Sequence, residues 1–151
     1  MRPDRGAAPV AHVVDLPEDE AWMVAALRLW SLDDGAGTAA LADAIAERIG
    51  RGRGDRFVSL FGDLMALVVD HTRRPMMRHK PDCPCVGADE AVFANFVAIA
   101  THGPREDAML IATLFLRADV VPIAVSLAQT LGLELTRGLS VAVPKRNVTL
   151  H

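Results

Sequence analysis

Six side chains in the stretch 55–71 do most to restrict what this chain can become. Phe57, Leu60, Phe61, Leu64, Val68 and His71 recur at helical spacing and form a single stripe. A helix carrying such a stripe has to bury it against another layer of structure. The stripe is apolar until its last member, so His71 is expected to face inward at the end of the core.

The rest of the chain supplies helices for it to pack on. Of 151 residues, 24 are Ala and 17 are Leu, both strong helix formers, while Phe and Trp number only five and two. Apolar residues make up 51% and charged residues 23%, which excludes a disordered tail or a coiled-coil rod. No internal repeat or low-complexity segment interrupts the pattern. The expected fold is all-α, a single-domain bundle of five or six helices with a long irregular central loop containing Cys and His. Residues 1–14 read as a flexible N-terminal segment, 15–138 as the helical domain and 139–151 as an extended or disordered tail.

The first helix is expected over 17–32, with Asp15 and Glu18 spaced like a capping box and Pro17 in the first turn. Trp22, Ala25, Ala26 and Leu29 form its apolar face, which Met23, Leu27 and Trp30 widen. Thr38 can cap a second helix through Ile49, with Leu41, Ile45 and Ile49 opposite Asp43 and Glu47. The three glycines of Gly50-Arg51-Gly52-Arg53-Gly54 are expected to break it, and Asp55 to cap the third helix. A fourth starts near Asp89 and buries Phe93, Phe96, Val97 and Ala100. After Gly103-Pro104 a fifth follows, apolar almost all round over 108–116 and so expected to be the most buried. Asp119 can cap a sixth, closed by Gly132.

Between the third and fourth helices, Pro75, Pro81 and Pro84 forbid regular structure. Here His71, His79, Cys83 and Cys85 fall within fifteen residues, although the chain holds five His and two Cys in all. Two thiolates and two imidazoles form the ligand set of tetrahedral zinc, so this quartet is the candidate metal site and Zn2+ the expected cofactor. Cys83 and Cys85 also precede a helix N-terminus, whose amides favour thiolate, and Arg73, Arg74, Arg78 and Lys80 act in the same direction. One residue between the cysteines, and that a proline, departs from the usual zinc spacing of two to four. Other readings of the same residues are two reduced thiols with a buried His71, a redox Cys-x-Cys pair, Cu(I) with Met76 or Met77, and a site shared across a dimer.

Several chemistries are excluded by pattern. The chain has no H-E-x-x-H, no G-x-S-x-G among its four serines and no phosphate-binding G-x-x-x-x-G-K-[ST]. The deaminase P-C-x-x-C spacing is also missing. Arg48–Arg56 with the loop arginines could form a basic face, yet the net charge is −3 and the following helix offers Phe and Leu where base-reading side chains would stand. Nucleic acid is therefore the third reading. The first is a non-enzymatic zinc protein with a regulatory or adaptor role through protein–protein contact. The second is a metal-dependent or thiol-redox enzyme or sensor using the same loop. Without an apolar secretory leader, and with uncharged runs of only fourteen residues where a span needs about 20, the expected setting is cytoplasmic rather than membrane. The broad apolar faces of helices one and five suggest a homodimer.

Overall fold

Helix α6, Val121–Val141, touches every other helix of the fold. The computed structural model describes residues 5–30 and 35–142. In chain order these form strand β1 (Pro9–His12), α1 (Glu18–Leu29), α2 (Gly35–Ile49), α3 (Arg51–His71), strand β2 (Cys85–Gly87), α4 (Ala88–His102), α5 (Arg105–Ala112) and α6. Short 3-10 turns occupy Arg5–Ala7, Val13–Asp15 and Ala118–Val120. The all-α bundle is as expected, with one small addition: β1 pairs antiparallel with β2, bringing His12 opposite Cys85 and Ala11 opposite Val86.

The stripe on α3 forms the centre of the core. Phe57, Phe61 and Leu64 are fully buried, joined by Phe93 and Phe96 from α4 and Leu131 and Leu135 from α6. Phe61 meets Trp30 and Phe93 edge-on at 6.3 and 6.0 Å, and Phe96 meets Phe115 edge-on at 5.4 Å. Such contacts contribute roughly 0.5–1.5 kcal/mol each beyond the burial of area. His71, the last member of the stripe, is only half-buried, and its Nδ1 lies 2.9 Å from the Leu67 carbonyl one turn back.

Several local expectations are overturned, mostly at glycines. α3 begins at Arg51 and runs straight through Gly52 and Gly54, so Asp55 caps nothing. The chain turns at Gly50 alone, where φ is +93°. At Gly54, inside the helix, α2 passes close, with Ala46 backbone atoms 3.2 Å from where a Cβ would stand, so glycine suits the packing there. Gly132 likewise sits inside α6, which crosses the Thr101 side chain there. α5 is amphipathic and shorter than expected. Ala108 and Ala112 face the core, while Leu110, and Leu114 just beyond the helix, are 67% and 68% exposed. α4 has Gly87 at its N-cap rather than Asp89.

At the ends, residues 5–12 lie against α4 and β2, although the segment to residue 14 was expected to be flexible. Residues 139–141 complete α6, and the remaining positions of the expected tail from 143 lie outside the described residues. One stretch, Ala118–Val141, is long and apolar enough to cross a membrane by length and composition. Half of its most apolar window is buried in the bundle, including Ala124, Val125, Ala128 and Leu131.

Candidate functional site

The segment Thr72–Pro84 contains no helix or strand, so its polar groups are satisfied by side chains from elsewhere. Thr72 bridges to Leu116, its Oγ1 donating to the Phe115 carbonyl at 3.0 Å. Arg78 then reaches the end of α1, donating to the Leu27 and Trp30 carbonyls at 2.7 and 3.0 Å. That occupies carbonyls which a helix C-terminus otherwise leaves unpaired.

Two consecutive carboxylates in the first turn of α4 gather the rest. Asp89 receives both terminal nitrogens of Arg74, at 2.9 and 2.7 Å, and the backbone N–H of Met77 at 2.8 Å. Glu90 accepts from the N–H of Gly87 at 2.9 Å, the N–H of His79 at 3.0 Å and the Arg28 guanidinium at 2.8 and 3.0 Å. Their place at a helix N-terminus suits negative charge. Burial alone pushes both carboxyls up. The opposing hydrogen bonds prevail, from Arg74 and Met77 for Asp89 and from Arg28, Gly87 and His79 for Glu90, and hold both below the ordinary carboxylate range.

Arg28 completes the frame. Besides Glu90, it donates to the Cys83 carbonyl at 2.8 Å and the Cys85 carbonyl at 2.6 Å. One buried guanidinium thus fixes the backbone on both sides of Pro84.

Within this frame Cys83 and His79 are neighbours, with Sγ 3.5 Å from Nδ1. The same Nδ1 is 3.1 Å from the Cys85 carbonyl, and Nε2 is 2.6 Å from the Ala7 carbonyl. A carbonyl oxygen only accepts, so both contacts are hydrogen bonds together only when both ring nitrogens carry protons. The Ala7 contact is the largest influence raising the His79 pKa; desolvation opposes it, and Cys83, Glu90 and Cys85 reinforce it. The Cys83 thiol is held below its ordinary value. A backbone hydrogen bond involving Cys85 acts most strongly, opposed by desolvation and aided by His79 and Arg28. The arrangement shifts Cys83 toward thiolate and His79 toward its protonated form. Both cysteines are free thiols, half-exposed.

Of the four residues expected to bind zinc, the structure places His79 and Cys83 in the loop and Cys85 at the first position of β2. It leaves His71 at the end of α3, turned to its own helix. Among the described residues, no three His, Cys, Asp or Glu side chains are gathered as metal ligands. The arginines of 48–56 expected to form a basic face each face a carboxylate of the same chain, with Arg51 and Arg56 still exposed and Arg53 partly so. Arg48 binds Glu18, Arg51 binds Asp43, and Arg53 and Arg56 flank Glu134. Sequence reasoning missed Arg28 and Ala7 altogether. A lone arginine within the apolar arc of the first helix was the available signal for Arg28; nothing local marks Ala7.

No protein-family model, curated protein or solved structure matches this chain.

Proposed function

We propose that the protein is a thiol-based sensor that acts through its Cys83 loop, in a reducing cytoplasmic setting, by contact with other proteins rather than by turnover. The observation that carries this reading is the Cys83–His79 pair, 3.5 Å apart, with the far ring nitrogen hydrogen-bonded to Ala7. An imidazolium held in place favours thiolate at its side, and thiolate is the form that reacts. The proposed reaction is exchange with a small disulfide. The Cys83 sulfur attacks one sulfur of the disulfide, forming a new S–S bond as the old one breaks. The electron pair leaves on the second sulfur, which takes a proton from water.

The test is the rate of disulfide exchange against pH for the parent, Cys83→Ser, Cys85→Ser and His79→Gln. Cys83 should react at pH values where an ordinary thiol, with a pKa of about 8.5, is still protonated. His79→Gln should move the Cys83 profile upward while Cys85→Ser leaves it in place. Two thiols titrating like free cysteine would overturn the reading.

Zinc is the second reading, favoured by the adjacency of Cys83 and His79. Binding through Nδ1, the nitrogen beside Cys83, would require the ring to release the Cys85 carbonyl while Nε2–H keeps Ala7, and it would leave His71 aside, so His79, Cys83 and Cys85 would hold an ion with an open position. Metal content of the freshly reduced protein decides: one equivalent per chain, lost in Cys83→Ser, supports it, and none removes it.

A further inference from the structure

We propose that a covalent adduct on Cys83 releases the N-terminal strap, residues 5–13, from the cysteine loop. The inference rests on Cys83 being the reactive sulfur and adds how its modification is transmitted.

The strap is held to the stretch 79–88, the same one that carries the thiol. The Ala88 N–H donates to Ala8 at 2.9 Å, the Val13 N–H to Pro84 at 2.8 Å, and His79 Nε2 to Ala7 at 2.6 Å. Between these points β1 pairs with β2. Val10 is 56% exposed, and of the strap's side chains Ala11 and Val13 pack, partly buried, on the core. The strap is thus attached by backbone pairing and these contacts to a scaffold that the loop must keep in register.

That scaffold has little slack on the Nε2 side of His79. A Cβ on Gly87 would meet the ring at 3.0 Å and the Gly6 carbonyl at 3.3 Å, and one on Gly6 would collide with the Asp89 carboxylate. Strap, ring and β2 are thus closely packed along the Nε2 edge of the ring. An adduct extends the Cys83 sulfur by several atoms, starting 3.5 Å from the ring. On this proposal the adduct displaces the ring from its contact with the sulfur, and Ala7 hangs from the ring's far side. The loop backbone cannot follow, because Arg28 clamps the Cys83 and Cys85 carbonyls and Glu90 holds the His79 N–H. The strap is the part free to give way, and its departure uncovers Val86, which is wholly buried in the reduced protein.

The experiment uses the full chain carrying Cys85→Ser, treated with oxidised glutathione. The exchange leaves one glutathione on Cys83 and frees the other, and mass spectrometry verifies the single adduct. Amide hydrogen exchange is then compared with the reduced protein. The Val13 and Ala88 amides should exchange roughly tenfold faster or more, with α3 and α6 amides unchanged and protection restored by a reducing dithiol. An adduct with undisturbed strap amides would overturn the inference and leave Cys83 as the reactive sulfur. Loss of protection through α3 and α6 as well would also overturn it, because the adduct would then unfold the bundle. If no adduct forms, the reading of Cys83 as the reactive sulfur fails. Cys83→Phe then tests the mechanical part alone: bulk at this position should speed exchange at Val13, and parental rates would end the proposal.

Discussion

Arg28 and Glu90 close a two-pronged ion pair between α1 and α4, at 2.8 and 3.0 Å, with side chains 3% and 0% exposed. Removing one partner leaves the other charged and buried, which typically costs about 3–5 kcal/mol. Arg28→Met should therefore destabilise the fold by that amount in urea unfolding followed by circular dichroism. Arg28→Met with Glu90→Leu should recover part of the loss, because two apolar side chains can replace a buried pair. A loss below about 1 kcal/mol for the single variant would show that water reaches Glu90.

The two carboxylates of α4 set the acid limit of stability. Both are held below their ordinary values, burial being outweighed by Arg28 and backbone N–H groups for Glu90 and by Arg74 and Met77 for Asp89. A depressed carboxyl contributes fully above its unfolded pKa of about 4 and loses that contribution as pH falls through the folded value. The urea midpoint should accordingly fall steeply below about pH 4, and Glu90→Gln should flatten this limb. His79 has the opposite sign. Its pKa is raised, so its contribution is complete below about 6.5 and disappears as pH rises through the folded value. His79→Gln should remove that alkaline loss.

Glycines divide by what surrounds them. Gly52 is helical with nothing within 4 Å of a would-be Cβ, so Gly52→Ala should stabilise by roughly 0.5–1 kcal/mol. At Gly132 the added methyl would overlap Thr101, whose Oγ1 is bonded to Val97 at 2.7 Å. Gly132→Ala should destabilise by about 1–3 kcal/mol despite its better helix propensity. Thermal melts of the two variants should move in opposite directions. A gain at Gly132 would mean that α4 and α6 can separate without cost.

A homodimer was expected from the apolar faces of the first and fifth helices; on the first, Trp22, Ala25 and Leu29 are only partly covered within the chain. Met23, Val24, Ala26 and Leu27 are covered within the chain. Leu110 and Leu114 remain on the surface, one turn apart. Leu110→Gln with Leu114→Gln should leave unfolding stability within about 0.5 kcal/mol and yield a monomer by sedimentation at concentrations where the parent is a dimer. A parent that is monomeric at micromolar concentration ends the proposal.

Helices were legible where apolar periodicity was strong, as in the Phe57–Val68 stripe, because burial overrides local preference. The same override explains the errors. Glycine propensity argued for a break at residues 50–54 and a stop at Gly132, but close approach of α2 and of Thr101 suits glycine inside those helices. In the loop, the clustering of His79, Cys83 and Cys85 was readable, while the contact of His79 with Cys83 is seen only in the structure. His71 was grouped with them by nearness in sequence, although a helix end turned its ring to Leu67. Arg28 and Ala7 lie 55 and 72 positions from their partners Cys83 and His79, and no local pattern encodes a contact of that range.

That range has a consequence for the order of folding. Arg28 meets Cys83, Cys85 and Glu90 across 55, 57 and 62 positions, so its contacts close long loops and form slowly compared with any helix. The proposed reactivity of Cys83 would therefore arise late, because its frame is complete only after α1 has docked on α4 and the residue 5–12 segment on the loop.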